Sequence, residues 1–372
     1  MKRGLAALAG IAVLACEHTS PFTTPPQGLS GPLVPGNPVQ ITYNPGVDVY
    51  ASWLPGGTSL IYTEERLDQP HREQCLAVIS ASGGTVTRQI CVPAPVAMDS
   101  QITLAEAVEG TDGRLVYVRA GTLAGLGGLP PDAQALVTAT DVAPFAATVI
   151  SALPFFGPQA RPVDAIADLQ VRSDAGGLVF VGQRVAYRTC PGCVPDTIRT
   201  GIEIDRWDPG TGFTGVTNTD QASSVGLAGA DTIYYTLDGD SRIFARALAD
   251  SVARVVYDFG AGAIVRDVRA AGSRLVAVSG GFVSYVDDSL LGLIQVDRGG
   301  SLYVIDLTDS TGVPVTLSGG VARRPVLSPD GKRLVYELYP FTYDTIFDVN
   351  HTVLAIDTSV SHAGDLWTAS LP

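Results

Sequence analysis

The side chains best able to do chemistry are few. The chain has five cysteines and four histidines in 372 residues. The histidines are His18, His71, His351 and His362. None sits in HExxH, and no GxSxG, Walker loop or GxGxxG between a strand and a helix occurs, so no catalytic residue or resident cofactor is assigned. Cys190-Pro191-Gly192-Cys193 is a CxxC. A redox CxxC opens a helix in a βαβ setting, whereas this one lies in the Pro-rich loop RTCPGCVPDT. A disulfide stapling that loop is favoured over zinc, which needs two more ligands. Cys75 and Cys91 flank a turn at Gly83-Gly84, equidistant from both. That spacing places them opposite each other on paired strands, the geometry of a cross-strand disulfide.

Composition narrows the function further. Lys+Arg total 24 against 37 Asp+Glu, a net charge of −13, with no basic run beyond Lys2-Arg3. Nucleic-acid binding is excluded as an expectation, because a phosphate backbone needs a basic patch. With 46% hydrophobic and 16% charged residues the chain can bury a large core. Its 41 glycines and 25 prolines favour many turns over long helices.

The first residues read MKRGLAALAGIAVLAC. Lys2 and Arg3 precede the apolar run Gly4–Ala15, too short to span a bilayer but suited to a secretory signal. Val13-Leu14-Ala15-Cys16 resembles a bacterial lipobox. The resemblance implies a signal peptide over 1–15, acylation of Cys16 and a membrane contact through that lipid alone. An ordinary signal peptide with a chance cysteine, or a buried helix, is the alternative. Residues 16–37 are rich in Pro, Gly, Ser and Thr and read as a tether. Glu17 differs from the Asp that retains such proteins in the inner membrane of enterobacteria. The expected address is therefore the outer membrane, facing periplasm or cell surface.

Residues 38–372 carry a repeat. Apolar triplets start at Leu60, Leu115, Leu178, Ile233, Leu275 and Leu334, at intervals of 55, 63, 55, 42 and 59 residues. Each follows a turn, as in LPGGTS or LSPDGKR. A period of about 40 to 60 residues marks propellers and related arrays. SPDGKRLVYEL with the later GDLWTASLP, and PGVDVYASWLPGGTSLIYTEE, resemble the WD-like repeat of TolB-type six-bladed propellers. The fold expected is all-β: six blades of four antiparallel strands, with PVQITYN (38–44) supplying the last blade's missing strand. The family's separate N-terminal domain has no counterpart here, since 17–37 read only as tether. Ser328–Gly331 then serve a tight turn and not a site.

Those elements would position two sets of residues. The long connections between second and third strands, about 64–74, 119–133, 182–200, 280–299 and 339–364, gather on one face. They carry Phe282, Tyr285, Tyr339, Phe341, Tyr343 and Phe347, with Phe155 and Phe156 in a crossing. Large aromatics there suit a protein interface; folding back over their own blades is the alternative. Near the starts of the inner strands stand Asp48, Tyr50, Glu106, Asp168, Arg266, Asp267, Arg323 and Arg324. They would line a central channel able to hold a small polar ligand, a cation or a peptide terminus, or simply water. The favoured reading is a monomeric, lipid-anchored interaction module with an envelope protein or peptide as partner. The rival is a metal-dependent hydrolase or lyase, or a small-ligand binder, using the channel; no metal ligand set is assigned.

Overall fold

The computed structural model describes residues 36–44, 46–66, 73–93, 104–110, 112–119, 134–140, 147–153, 163–173, 176–188, 196–281, 283–288, 292–297, 299–315, 317, 319–347, 353–361 and 364–371. They form six four-stranded antiparallel sheets around a ring. In each blade we letter the strands a to d from the channel outward. Strands a are Asp48–Trp53, Leu104–Glu109, Val163–Val171, Ala222–Ala228, Val265–Ala271 and Gly320–Leu327 for blades 1 to 6. The repeated triplets fall on strands b, whose members are buried because a blade is covered on both faces by its neighbours.

Among the described residues the core is accordingly seven inter-blade clusters, two of them at the seam of blades 6 and 1. Ile61 and Leu76 of blade 1 pack on Leu104, Leu115 and Tyr117 of blade 2. Trp53, Leu60 and Tyr62 pack on Val335 and Leu366 of blade 6. The opening a–b turn of blade 6 is a folding device, as expected. Gly331 has φ +68°, a backbone that glycine adopts without a Cβ clash. Asp330 accepts from Ser328 Oγ at 2.5 Å and from Lys332 N–H at 3.1 Å, pinning the loop.

Ring closure uses both ends of the domain. The strand Gly36–Gln40 pairs antiparallel with Asp365–Ser370 and supplies blade 6 with its strand d. Gly36 lies opposite Ser370, which also pairs with Arg333 just after the a–b turn. The closing strand therefore starts on the face of the a–b turns.

On the opposite face the structure corrects the expectation of loops. Among the described residues, three b–c connections are β-ribbons. In blade 3, strands b and c run on as Leu178–Arg188 and Asp196–Asp208. Blade 5 adds the hairpin Val283–Asp288 with Gly292–Asp297. In blade 6, strand b continues to Phe347 and pairs with Val353–Val360. Backbone pairing there needs no apolar alternation, because a two-sided ribbon buries little, so the sequence pattern resembles a loop.

Cys75 and Cys91 are register partners on strands c and d of blade 1 and form a disulfide. Reducing it, or replacing both residues by serine, is expected to cost about 3 kcal/mol in the chain-entropy model. Urea unfolding with and without reductant measures this. Equal midpoints would show that the bridge constrains nothing.

Candidate functional site: the belt around the central channel

Every inner strand carries a β-bulge at the same level. The register slips between Val49 and Ser52, Ala105 and Val108, Ala167 and Gln170, Ala222 and Ser224, Arg266 and Arg269, and Arg323 and Val326. In five blades the extra residue has a left-handed backbone: Tyr50, Glu106, Asp168, Asp267 and Arg324, with φ from 41° to 57°. None is glycine, so each holds a costly conformation that the surroundings must enforce.

The enforcement is a chain of hydrogen bonds from blade to blade. A bulge frees a backbone N–H from its ladder, and a side chain of the preceding blade accepts it. Leu169 N–H donates to Glu106 Oε2 at 3.2 Å, and Val225 N–H to Asp168 Oδ2 at 3.1 Å. Val268 N–H donates to Ser224 Oγ at 3.0 Å, and Arg324 N–H to Asp267 Oδ2 at 2.9 Å. Tyr50 N–H donates to Glu337 Oε1 at 2.8 Å, joining blade 6 to blade 1.

Guanidinium groups complete the belt. Arg269 Nη2 meets Asp168 Oδ1 at 2.8 Å, while its Nη1 donates to the carbonyls of Val225 and Val268. Arg324 Nη1 meets Glu337 Oε2 at 2.9 Å, and the guanidinium carbon stands 4.3 Å from the Tyr50 ring centre. Arg323 Nε is 3.6 Å from Asp267 Oδ2. The nearby arginines hold the Asp267 carboxyl below its ordinary range although burial opposes them. Burial, followed by the Asp168 charge, pushes Glu106 up to about 7.

Below the belt, toward the a–b turns, the channel widens into a cavity of about 420 Å³. Tyr50, Glu106, Arg269 and Arg324 form its charged end. Ala107, Val108, Leu169, Leu227, Ala270 and Val326 form apolar walls. The lining continues to the turn residues Ser173, Gly229, Gly272 and Pro329.

The channel residues expected from sequence are thus partly brought together. Tyr50, Glu106, Asp168, Asp267, Arg323 and Arg324 belong to the belt. Arg266 does not: its Nη2 donates to the Gly280 carbonyl near the base of the blade 5 ribbon. Asp48 does not either. It is fully buried at the seam between blades 1 and 6, accepting from Asn44 Nδ2 at 2.5 Å. The bulge at Tyr50 breaks the strand alternation, so Asp48, two residues earlier, does not share its side of the strand. Glu337, Arg269 and Ser224 were missed. Glu337 sits on strand b, outside the inner-strand pattern, and Arg269 is displaced by the bulge. Charged residues interrupting buried runs, as in VRDVRAA and RLVYEL, are the available signal.

The aromatic set is split. Tyr339 is buried and donates its hydroxyl to Glu337 Oε2 at 2.9 Å, so it supports the belt and offers no surface. Phe341 is half-buried and Tyr343 is 62% exposed, on the blade 6 ribbon. Tyr285 and Phe347 lie on ribbon strands, but their side chains fall outside the described residues, as do Phe155, Phe156, Phe282, Cys16, Cys190, Cys193 and all four histidines. Among the described residues, the only close group of metal-ligating types is Glu73 with Cys75 and Cys91. Its two sulfurs are bonded to each other.

No protein-family profile matches the chain, and no curated protein matches it in sequence. Solved structures do match. The RRP9 WD40 repeats share 8% identity at a TM-score of 0.50, over 91% of this chain and 99% of that one. U3-55K shares 8% at 0.50, over 90% and 98%. TolB from Acinetobacter baumannii shares 13% at 0.49, over 83% of this chain; the match spans 66% of the TolB chain. The chain is a six-bladed β-propeller with WD40-repeat and TolB propellers among its structural neighbours.

Proposed function

We propose that the protein is a lipid-anchored binding propeller of the cell envelope that captures a protein or peptide partner on its ribbon face. The observation that carries this reading is the division of the disc into two faces. The closing strand begins at Gly36 on the a–b turn face, so a tether from Cys16 arrives there. The ribbons of blades 3, 5 and 6 project from the other face, away from such an anchor. Blade 4 has a short b–c turn and leaves an open trough of about 750 Å³, lined in part by Asp238, Asp240, Arg242 and Asp258. Ribbons and trough give a relief that a partner can fit. Catalysis is the weaker reading, because the carboxylates Asp168, Asp267 and Glu337 are held by arginines and by backbone N–H groups of the next blade.

Phe341 and Tyr343 are the aromatic anchors to test, with ring centroids 6.4 Å apart. The double variant Phe341→Ala/Tyr343→Ala is expected to lose about 2 kcal/mol or more of binding, as interface anchors do. Tyr343→Ala alone should melt close to the parent, since Tyr343 is exposed, whereas loss of Phe341, which packs on Val49, Val321, Tyr339 and Val360, lowers the melting temperature of the double variant modestly. The measurement is crosslinking from a photoreactive group at position 343 in intact cells, followed by affinity titration with the captured partner. Mass spectrometry of the same preparation reads the acyl group on Cys16. A variant that melts far lower and retains its partner would reject the ribbon face, and an unmodified Cys16 would reject the anchor.

A further inference from the structure

The belt contains three guanidinium–carboxylate pairs: Arg269 with Asp168, Arg324 with Glu337, and Arg323 with Asp267. A fourth carboxylate, Glu106, forms no ion pair among the described residues. Its Oε2 accepts only the Leu169 N–H. Glu106 is 8% exposed, and that remaining exposure faces the cavity it lines. One positive charge is therefore missing from the ring, and the missing place opens onto a cavity of about 420 Å³. That size falls within the range of small-molecule sites.

We propose that this cavity is a binding site for a small primary ammonium compound with an apolar body, its ammonium group seated on Glu106. The site lies on the face opposite the ribbons and stands or falls independently of them. Three observations select the ligand class. The walls beyond Glu106 are Ala107, Val108, Leu169, Leu227, Ala270 and Val326, which suit hydrocarbon. A divalent metal ion needs several oxygen ligands, and the ring offers one unmatched carboxylate. The guanidinium groups of Arg269 and Arg324 lie close enough to act on Glu106, which favours a single charge over a double one.

The site carries a proton signature. The charged groups acting on Glu106 of blade 2 are Asp168 of blade 3, Arg269 of blade 5 and Arg324 of blade 6, with the Tyr50 hydroxyl of blade 1 also within its field. Burial and Asp168 favour the protonated acid, the arginines favour the carboxylate, and the balance sits at about 7. An ammonium ligand must displace that proton. Its affinity should therefore rise about tenfold per pH unit below 7 and level off above.

The probe is hexylammonium chloride, titrated calorimetrically into the full chain from pH 6 to 8.5, with 1-hexanol and sodium hexanoate as controls. We expect hexylammonium to bind, to release a proton at pH 6.5, and to be preferred over both controls by about tenfold or more, the worth of a charged hydrogen bond. Glu106→Gln keeps an acceptor for Leu169 N–H and should remove the preference and the proton release together. The proposal is overturned if hexylammonium fails to bind at millimolar concentration. It is also overturned if hexanol binds as well, or if proton release at pH 6.5 is absent from the wild-type chain. The last readout needs no variant, so it holds even where Glu106→Gln fails to fold.

Discussion

A chain lacking residues 36–42 loses cooperative folding. That segment is the outer strand of blade 6 and reinforces the closure of the ring, which the Tyr50–Glu337 hydrogen bond and the packing of Trp53 and Leu60 on blade 6 also hold. Ile41 is 2% exposed and packs with Trp53, Leu60, Tyr62, Val335 and Leu366 of both flanking blades. Its N–H donates to the Leu366 carbonyl at 2.8 Å, and Leu366 N–H donates to Thr42 Oγ1 at 2.9 Å. Deleting a buried isoleucine to alanine alone costs about 2 to 5 kcal/mol. Here the backbone pairing goes too, and Asp365–Ser370 becomes an open edge. The total approaches the roughly 5 to 15 kcal/mol of an ordinary domain. Scanning calorimetry should show a broad, low transition, and a synthetic peptide spanning 36–44 should restore the sharp one. A truncated chain that melts within a few degrees of the full chain would show that blade 6 holds without closure.

The second large effect is a stability that declines as pH rises. Two carboxyls are buried at the same seam. Burial pushes Asp48 up to about 8, and hydrogen bonds from Thr42 and Asn44 only partly oppose it. Burial pushes Asp365 up to about 7. Facing Asp48 are Asp365 of blade 6 and Glu64 of blade 1, the latter tied to Arg88 at 2.6 Å; Tyr62 packs beside them. The ordinary value is 3.8 for both acids, so the folded state binds a proton more tightly than the unfolded one. Their contribution is complete below about pH 4 and is lost as pH climbs through 7 to 8. Each group imposes a slope of about 1.4 kcal/mol per pH unit inside that window. Asp48→Asn mimics the protonated acid and should flatten the slope by one proton, so that at pH 8 the variant melts several degrees above the parent. Melting curves at half-unit steps from pH 4 to 9 decide it. Parallel curves for parent and variant would refute a neutral, buried Asp48.

The ring was legible because its determinants are local and repeated. Leu60-Ile61-Tyr62 and Leu334-Val335-Tyr336 announce strand b of their blades, and Ser328–Gly331 announce the turn. The midpoint at Gly83 pointed to the Cys75–Cys91 register. The channel was legible only in part, because each inner strand is interrupted by a bulge. One inserted residue reverses which side chains face the axis, so periodicity cannot tell Asp48 from Tyr50 or Arg266 from Asp267. Glu337 escaped notice for a different reason: its partner Tyr50 is 287 residues away, and nothing local signals the contact. The ribbons escaped because a two-stranded projection buries little apolar surface.

The pairing of Gly36–Gln40 with Asp365–Ser370 also sets an order of events. The first strand of the domain to be synthesised pairs with the last. Gln40 Nε2 reaches Asp365 Oδ2 across 325 residues of chain. Long separations slow folding, because loop entropy is lost before any contact is gained. Blades 1 to 5 are meanders of neighbouring strands and can form as they emerge, while the founding strand waits, its edge unpaired, until Asp365–Ser370 arrives. During that wait it is the segment of the domain most open to a chaperone, or to the blade 6 of another chain.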